Sequence, residues 1–290
     1  MDASMVPSSL VVPHECLPAG FARSLANPPH PPVEPRPAAT LTLLRDAAGG
    51  MEVVLLRRSD STRFIPGAFV FPGGRVDEAD TSTDLLAFLE GPTPAEADDR
   101  LGIPGGHPPG LAYWAAALRE TFEEAGILLA GGGGGCRAVP LDGRDATGRL
   151  RRDLHEGNTS FPAVLEAMGA TLDGKRVAYI GHWKTPVQER YRYDTRFFGA
   201  EITADCPVFP DGVEMVEALW MTPTEALSRN RRGDLPMVFP TLMTLQALEP
   251  FRSPREALRE LARRDIPCLL PRVEVTEDGV RMVLETADPL

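Results

Sequence analysis

Three glutamates in the stretch RETFEEAGI, residues 119–127, have the type and spacing of metal ligands. On a helical wheel at about 100° per residue, Glu120, Glu123 and Glu124 fall on one side. Glu120 and Glu124 are an i,i+4 like-charge pair, which weakens a helix by roughly 0.2–0.5 kcal/mol. Mg²⁺ or Mn²⁺, which prefer carboxylate oxygens, would turn this repulsion into binding energy. A solvated acidic face is the competing interpretation, in which Arg119 relieves part of the repulsion.

The helix that would carry these carboxylates is predicted over residues 111–125. Trp114, Leu118 and Phe122 recur at helical spacing and form an apolar face opposite the glutamates. Gly126 is a natural stop for the helix. The pattern therefore places an apolar face toward a core and an acidic face on the other side.

The composition is that of a globular protein, with 43% hydrophobic and 24% charged residues in 290. The net charge of −11 argues against a general nucleic-acid or membrane-surface binder, since no block of Lys or Arg offsets it. No apolar run approaches the roughly 20 residues that span a bilayer. The N-terminus lacks the basic start of a signal peptide, so a cytoplasmic location is expected.

The four cysteines, Cys16, Cys136, Cys206 and Cys268, are scattered along the chain. This spacing argues against a zinc site and predicts buried, reduced thiols. The five histidines are isolated as well, which argues against a histidine metal site.

The order of predicted elements indicates one α/β-type domain with insertions. Residues 1–36 are rich in proline and are predicted to form an irregular arm. Residues 37–249 are predicted to form the domain, with insertions at about 81–110 and 131–176. The segment 131–135 (five glycines) is predicted to be a flexible link. Residues 250–290 are predicted to form a helix and a hairpin packed on the domain. Whether this segment covers the site or makes a homodimer contact is left open.

The glutamate helix does not stand alone, because FPGGRVDEAD lies upstream of it. Together the two stretches resemble the signature of the Nudix hydrolases, Gx5Ex7REUxEExGU with U aliphatic. Gly74 takes the first glycine, and residues 119–127 take the second half at the right spacing. Asp80 stands at the first glutamate position, Thr121 replaces an aliphatic residue, and 38 residues separate Asp80 from Arg119 where the pattern has seven. The extra residues are expected to loop out, so that the glycine turn and the helix still meet.

Such a split box, together with RYDTRFF at residues 192–198, is similar to the Nudix branch that includes peroxisomal coenzyme A diphosphatases. VLLRRSDSTRFIPGAFVFPGG, residues 54–74, also resembles the motif LLTxR[SA]x3Rx3Gx3FPGG of coenzyme A-cleaving members. Leu56 replaces the threonine of that motif. A strand and turn with incidental arginines is the competing interpretation. Arg58 and Arg63 would bind substrate phosphate through their forked donors, with Arg75 nearby.

The resemblance implies a Nudix-type α/β/α sandwich with a mixed sheet, helical insertions and a C-terminal extension. It also implies a diphosphatase that acts on phosphorus-containing anhydrides. Mg²⁺ or Mn²⁺ would be held by the three glutamates, which Arg119 would orient. Gly73 and Gly74 would let the backbone approach the site without a Cβ in the way. Three carboxylates are candidates for the base that takes the proton of water: Glu120, Glu214 and Glu217.

The implied substrate is a small diphosphate, coenzyme A or acyl-coenzyme A, cleaved to 3′,5′-ADP and 4′-phosphopantetheine or its acyl form. An ADP-ribose, dinucleotide or nucleotide-sugar pyrophosphatase would need the same metal helix. A non-catalytic Nudix ligand-binding module is the alternative from another class, and Asp80 is a mild point in its favour. Such modules usually lose box glutamates, whereas all three glutamates of the second half are present here.

Overall fold

The body of the protein is a mixed β-sheet covered by helices on both faces. The computed structural model describes residues 9–17, 28–62, 64–141 and 145–286. In chain order the strands are β1 (Ser9–Pro13), β2 (Arg36–Ala47), β3 (Gly50–Arg58), β4 (Phe69–Val70), β5 (Gly73–Arg75), β6 (Leu89–Glu90), β7 (Ile127–Ala130), β8 (Gly135–Ala138), β9 (Leu172–Asp173), β10 (Ala178–Lys184), β11 (Tyr193–Glu201), β12 (Met215–Met221), β13 (Leu269–Thr276) and β14 (Gly279–Thr286).

The helices occur mainly in the insertions and in the C-terminal third of the chain. They are α1 (Thr83–Leu86), α2 (Pro94–Leu101), α3 (Gly110–Ala125), α4 (Ala146–His155), α5 (Phe161–Met168), α6 (Pro223–Arg231), α7 (Phe239–Leu248) and α8 (Pro254–Ala262), with 3₁₀ turns at His14–Cys16, Glu78–Thr81 and Gly174–Arg176. None of the helices in the described ranges has the length and apolarity needed to cross a membrane. The predicted helix over residues 111–125 is confirmed as α3, which ends at Gly126 in the left-handed conformation.

The main sheet combines parallel and antiparallel pairs, as the predicted mixed sheet requires. Its strand order is β1-β14-β13-β10-β11-β2-β3-β12, with β4 on β3 and β5 on β2. Strands β2 and β11 pair in parallel, and β10 and β13 also meet in parallel. The β2–β3 hairpin that the sequence predicts is confirmed, with Leu44 opposite Val53 and Ala47 opposite Gly50.

Both faces of the sheet are buried, which explains why β2 reads as a nearly continuous apolar run. Leu41 and Leu43 of β2 lie in a core cluster that also contains most of the apolar side chains of α3. Leu44, the next residue, lies in a second core cluster with side chains of α6, α7 and α8. Helices therefore cover the sheet on two sides, and the α/β/α arrangement is confirmed.

The two insertions pack on the domain and on each other. Strands β6 and β9, one from each insertion, pair in parallel within a second sheet of order β6-β9-β7-β8. Ala97 and Leu101 of α2 are buried in the same core as α3. The residues expected to loop out between Asp80 and Arg119 are thus helical in part, and α2 packs into the core instead of lying on the surface. The segment 131–135 is a tight turn that joins β7 to β8 rather than a flexible link.

The N-terminal arm is more regular than its proline content indicates. Residues 9–13 form β1, which pairs antiparallel with β14 along the edge of the main sheet. The prediction of an irregular arm is wrong there, because the partner strand lies about 270 residues further along the chain. Residues 1–8 and 18–27 lie outside the described residues. The predicted C-terminal helix and hairpin are confirmed as α8 and the β13–β14 pair.

The prediction that all four cysteines are reduced is wrong. Cys136 and Cys206 form a disulfide with their Cα atoms 6.4 Å apart, although 70 residues separate them in sequence. Cys136 belongs to β8 in the second insertion, whereas Cys206 follows β11 of the main sheet. The bond therefore ties the second insertion to the domain.

Leu101 offers a test of whether the first insertion is part of the folded unit. Because Leu101 is buried in the core with α3, Leu101→Ala is expected to lower the free energy of unfolding by about 2–5 kcal/mol. The measurement is urea unfolding followed by circular dichroism.

Asp99→Ala is the matched control on the same helix, since this side chain is exposed. It should change the free energy of unfolding by no more than about 0.5 kcal/mol. Equal effects of the two substitutions would show that the insertion does not contribute to the core.

Candidate active site

Helix α3 is held firmly at both ends, and this fixes the position of its glutamates. At its start, the backbone N–H of Gly110 donates to Asp98 Oδ1 at 2.6 Å, so α2 caps α3. At its end, the last four carbonyls accept hydrogen bonds from Gly126 N, Arg151 Nη2, Asp211 N and Phe209 N. The orphan carbonyls that any helix leaves at its C-terminus are thus satisfied.

Arg151 is an unexpected part of this arrangement. Its guanidinium is completely buried and donates to the carbonyls of Val139, Glu123 and Phe209, each at 2.8 Å. Burial lowers the pKa of Arg151 to about 10, so it stays protonated near neutral pH. A cation at the C-terminus of a helix also interacts favourably with the helix dipole. Sequence reasoning missed this residue, since an isolated arginine in a predicted helix carries no signal of burial.

The carboxylate face of α3 is not a solvated face. Glu124 is 6% exposed, and Glu120 and Glu123 are partly buried. Burial raises the pKa of all three carboxyl groups. The neighbouring charge of Glu120 raises the pKa of Glu124 further, whereas the charge of Arg119 opposes the increase at Glu123. The chain therefore crowds three carboxyl groups into a poorly solvated place, which favours a cation site over an exposed acidic surface.

Arg119 connects the glutamates to Asp80. Its Nε and Nη2 donate to the two oxygens of Asp80 at 2.8 and 2.9 Å. Its Nη1 donates to Glu120 Oε1 at 3.0 Å and to Glu123 Oε1 at 3.1 Å. Burial alone would lower the pKa of Arg119, but the hydrogen bond to Asp80 and the three carboxylates outweigh it and keep the pKa raised. The expected orienting ion pairs are present, and Asp80 anchors them.

The glycine turn and the helix meet, as the split motif requires. The backbone N–H of Gly73 donates to Glu124 Oε2 at 2.8 Å, and Arg119 Nη2 donates to the carbonyl of Arg75 at 3.1 Å. A Cβ on Gly74 would collide with the carboxylate of Glu120, and one on Gly73 would lie 2.5 Å from the carbonyl oxygen of Ala39. Gly74 therefore needs to be glycine for close approach to the site, as the sequence predicted, whereas Gly73 needs to be glycine for close approach to β2.

These groups open into one cavity of about 430 Å³, within the range of about 300–1,000 Å³ that is typical of ligand sites. The three glutamates, Gly73, Gly74, Arg75 and Arg119 all line it. Arg58 lines it too, with its Nη2 3.9 Å from Glu214 and its Nε donating to the carbonyl of Phe64 at 3.1 Å. Arg63 lies outside the described residues.

The structure separates the two later carboxylates that the sequence could not distinguish. Glu214 lines the cavity, with 56% of its side chain exposed. Glu217 is exposed in a shallow groove beside Arg57 and Arg229, and it does not border the cavity of the glutamates. Glu217 is therefore apart from the glutamates of α3, and the register of β12 against β3 shifts between Met215 and Glu217.

Asp211 holds the backbone of the loop that carries Glu214 and was not singled out from the sequence. Its Oδ1 accepts hydrogen bonds from the backbone N–H groups of Val213 and Glu214, both at 2.6 Å. The dipeptide Asp211-Gly212 is a turn signal that points to such a structure. The loop that brings Glu214 to the cavity is therefore stabilised from within.

Whether the donors suit a divalent cation can be judged from their chemistry. Within the described parts of the chain, no group of three or more Asp, Glu, His or Cys side chains is arranged as a preformed metal site. Glu120, Glu123 and Glu124 nevertheless supply oxygen donors at the wall of one cavity, beside a surplus of buried negative charge. Oxygen donors of this kind fit Mg²⁺ or Mn²⁺. The roles of these residues as ligands stay a prediction.

Asp80 is the residue whose loss should loosen this arrangement most. Asp80→Asn removes the charge that faces Arg119 in a fully buried site. Breaking a buried ion pair costs about 3–5 kcal/mol, so the free energy of unfolding should fall by that amount. Denaturant unfolding of the purified protein measures it.

Asp77→Asn is the control, because Asp77 is half exposed and lies 3.9 Å from Arg119. It should cost less than about 1 kcal/mol. If Asp80→Asn costs no more than Asp77→Asn, Asp80 does not anchor Arg119.

Comparison with known proteins assigns this arrangement to a family. A family model described as the NUDT19 Nudix domain matches residues 22–248. The chain is 30% identical to the acyl-coenzyme A diphosphatase NUDT19 of Gallus gallus over 234 residues, which are 70% of this chain and 62% of that protein. It is 29% identical to the protein of the same name from Homo sapiens over 290 residues, covering 89% of this chain and 72% of that one.

A solved structure agrees with the sequence relatives. The crystal structure of a Nudix hydrolase from Alicyclobacillus acidocaldarius is 34% identical, with a TM-score of 0.66, and covers 80% of this chain and 99% of that chain. The match to the Gallus gallus protein spans less than two thirds of that protein's length. With the glycine turn, the split box and the carboxylate helix in one cavity, this chain belongs to the NUDT19 Nudix domain family.

Proposed function

We propose that this protein hydrolyses the diphosphate bond of coenzyme A or acyl-coenzyme A and releases 3′,5′-ADP and 4′-phosphopantetheine or its acyl form. The observation that carries the proposal is a single cavity lined by the three glutamates together with Arg58 and Arg75. The carboxylates suit a cation-bound diphosphate, and the arginines suit the additional phosphate of coenzyme A. Relatives named acyl-coenzyme A diphosphatase support the same substrate class.

The proposal includes Mg²⁺ or Mn²⁺ held by Glu120, Glu123 and Glu124. Such an ion would supply positive charge against the diphosphate and would lower the pKa of water there. Arg119 keeps Glu120 and Glu123 turned toward the site through its two hydrogen bonds. Gly73 holds Glu124 from the other side through its backbone N–H. The protein thus fixes all three carboxylates before substrate arrives, which is the main requirement for phosphoryl transfer.

Hydrolysis requires a group that accepts the proton of the attacking water. A new bond forms between the water oxygen and one phosphorus, while the bridging P–O bond breaks and its electron pair leaves with the other phosphate. Glu214 suits the role of base because its carboxylate lies in the cavity and is largely exposed to solvent. Glu120 suits it less, since one of its oxygens already accepts from Arg119 and the same carboxylate is assigned to the proposed cation.

The substrate is tested by offering coenzyme A, acetyl-coenzyme A, ADP-ribose and NADH to the purified protein with Mg²⁺ or Mn²⁺. Coenzyme A and its acetyl ester are expected to give the highest kcat/KM, because only they carry the additional 3′-phosphate for Arg58 and Arg75. Mass spectrometry should identify 3′,5′-ADP among the products. A clear preference for ADP-ribose would assign the chain to the pyrophosphatases of that substrate instead.

Glu123→Gln is the control for this assay. It keeps the shape of the side chain but removes a charge from the proposed metal site, so turnover should be lost while the circular dichroism spectrum stays unchanged. Unchanged turnover would contradict the metal assignment. Absence of turnover in the unsubstituted protein with either ion would favour a non-catalytic ligand-binding module.

Glu214 and Glu217 form a matched pair for identifying the base. Glu214→Gln should lower kcat by at least about 100-fold, since general base catalysis typically contributes 10²–10⁴-fold. Glu217→Gln should leave kcat unchanged, because Glu217 lies in a different groove. Steady-state kinetics with coenzyme A measures both, and equal kcat values for the two variants would exclude Glu214 as the base.

A further inference from the structure

Part of the wall of the active-site cavity is apolar and plays no role in the chemistry described so far. Trp183 and Phe239 meet edge to face there, with ring centroids 5.6 Å apart. Both are nearly inaccessible to bulk solvent but border the cavity. The side chains that form this apolar wall are Trp183, Phe197, Val238, Phe239, Pro271 and Met282.

The C-terminal hairpin supplies one side of the apolar wall. Pro271 lies on β13 and Met282 on β14, and the pairing of Pro271 with Leu284 and of Val273 with Met282 puts these four side chains on one face. Residues 269–286 lie beyond residues 22–248, to which the family model is matched. The hairpin is therefore a feature of this chain that the family domain does not account for.

The apolar wall extends away from the carboxylates across the sheet. Strand β2, which pairs with the glycine turn, is four strands from β14 in the order β14-β13-β10-β11-β2. At about 4.8 Å per strand, this separation is roughly 19 Å. An occupant that reaches from the glutamates to Met282 must be long and chain-like rather than compact.

The lysine beside the apolar wall is paired with an aspartate, and the arginines that line the cavity lie in its other part. Lys184 borders the cavity beside Trp183, and its Nζ lies 3.5 Å from Asp194, which also accepts a hydrogen bond from Arg196 at 2.8 Å. Arg58 and Arg75 lie instead with the glutamates and the glycine turn. The two regions therefore differ in chemistry, one suited to phosphates and the other to an uncharged alkyl group.

We propose that the apolar wall binds the acyl end of an acyl-coenzyme A and that Met282 limits the length of the acyl chain. This inference rests on the proposed function, since it assigns the two halves of that substrate to the two regions. The bisphosphorylated adenosine half matches the arginines. The other half is a long uncharged arm that ends in an alkyl chain, and it matches both the span and the apolarity of the wall.

The test compares kcat/KM for coenzyme A and for its acetyl, butyryl, octanoyl and palmitoyl esters. In the unsubstituted protein, each methylene that enters the wall should raise kcat/KM about fourfold until the space is filled. Met282→Trp fills space at the end of the wall. It should lower the kcat/KM for octanoyl-coenzyme A, relative to the kcat/KM for coenzyme A, at least tenfold. Met282→Ala removes bulk there and should move the preferred ester to a longer chain.

Val283→Ala is the matched control, because the next residue on β14 points to the opposite face of the hairpin. It should leave the chain-length profile unchanged. Equal losses for every ester and for coenzyme A in the Met282 variants would overturn the inference while leaving the proposed function in place. An unchanged profile in Met282→Ala would overturn it as well, even if Met282→Trp does not fold.

A second measurement separates this inference from the proposed function. If the unsubstituted protein does not cleave coenzyme A, the proposed function fails. Ligand binding then tests whether the apolar wall accepts an acyl chain. S-octanoyl-4′-phosphopantetheine should raise the melting temperature more than 4′-phosphopantetheine does, and Met282→Ala should change that difference. Equal shifts for the two compounds in the unsubstituted protein would overturn the inference.

Discussion

The buried ion pair between Asp80 and Arg119 is the interaction on which the rest of the site depends. Asp80 is fully buried and binds Arg119 through both carboxylate oxygens. A charge in such a place is tolerated only when it is paired, so Asp80 determines where the guanidinium lies. The remaining donors of Arg119 then hold Glu120 and Glu123 at fixed positions. One aspartate thus orders a carboxylate cluster that would otherwise repel itself.

The same ion pair explains how a long insertion can divide a compact site without dismantling it. The first insertion begins at residue 81, directly after Asp80, and leads into α3 at Gly110. The insertion packs into the core of α3 and provides Asp98, which caps the start of that helix. At the other end, Arg151 of the second insertion binds the carbonyl of Glu123. Both insertions therefore act as supports for the helix that carries the chemistry.

These supports stabilise a helix whose charges are unfavourable in isolation. Burial raises the pKa of all three glutamates, because their charged forms are poorly solvated there. Extensive apolar packing of α3 against the sheet offsets this cost. Functional sites commonly store unfavourable interactions that the surrounding fold stabilises. The proposed cation would offset that cost, and its binding would then stabilise the folded protein.

The sequence by itself determined the glutamate helix, the glycine turn, the β2–β3 hairpin, the C-terminal hairpin and the family resemblance. These features depend on local spacing and turn chemistry, which are written in consecutive residues. Tertiary structure alone decided the disulfide between Cys136 and Cys206, the strand at residues 9–13, the burial of Arg151 and the position of Glu214, but not Glu217, beside the glutamates of α3. Each of these needs partners that are distant in sequence, or an orientation that a strand register sets. The apolar wall has the same origin, because it forms only where the C-terminal hairpin reaches the sheet beside β10.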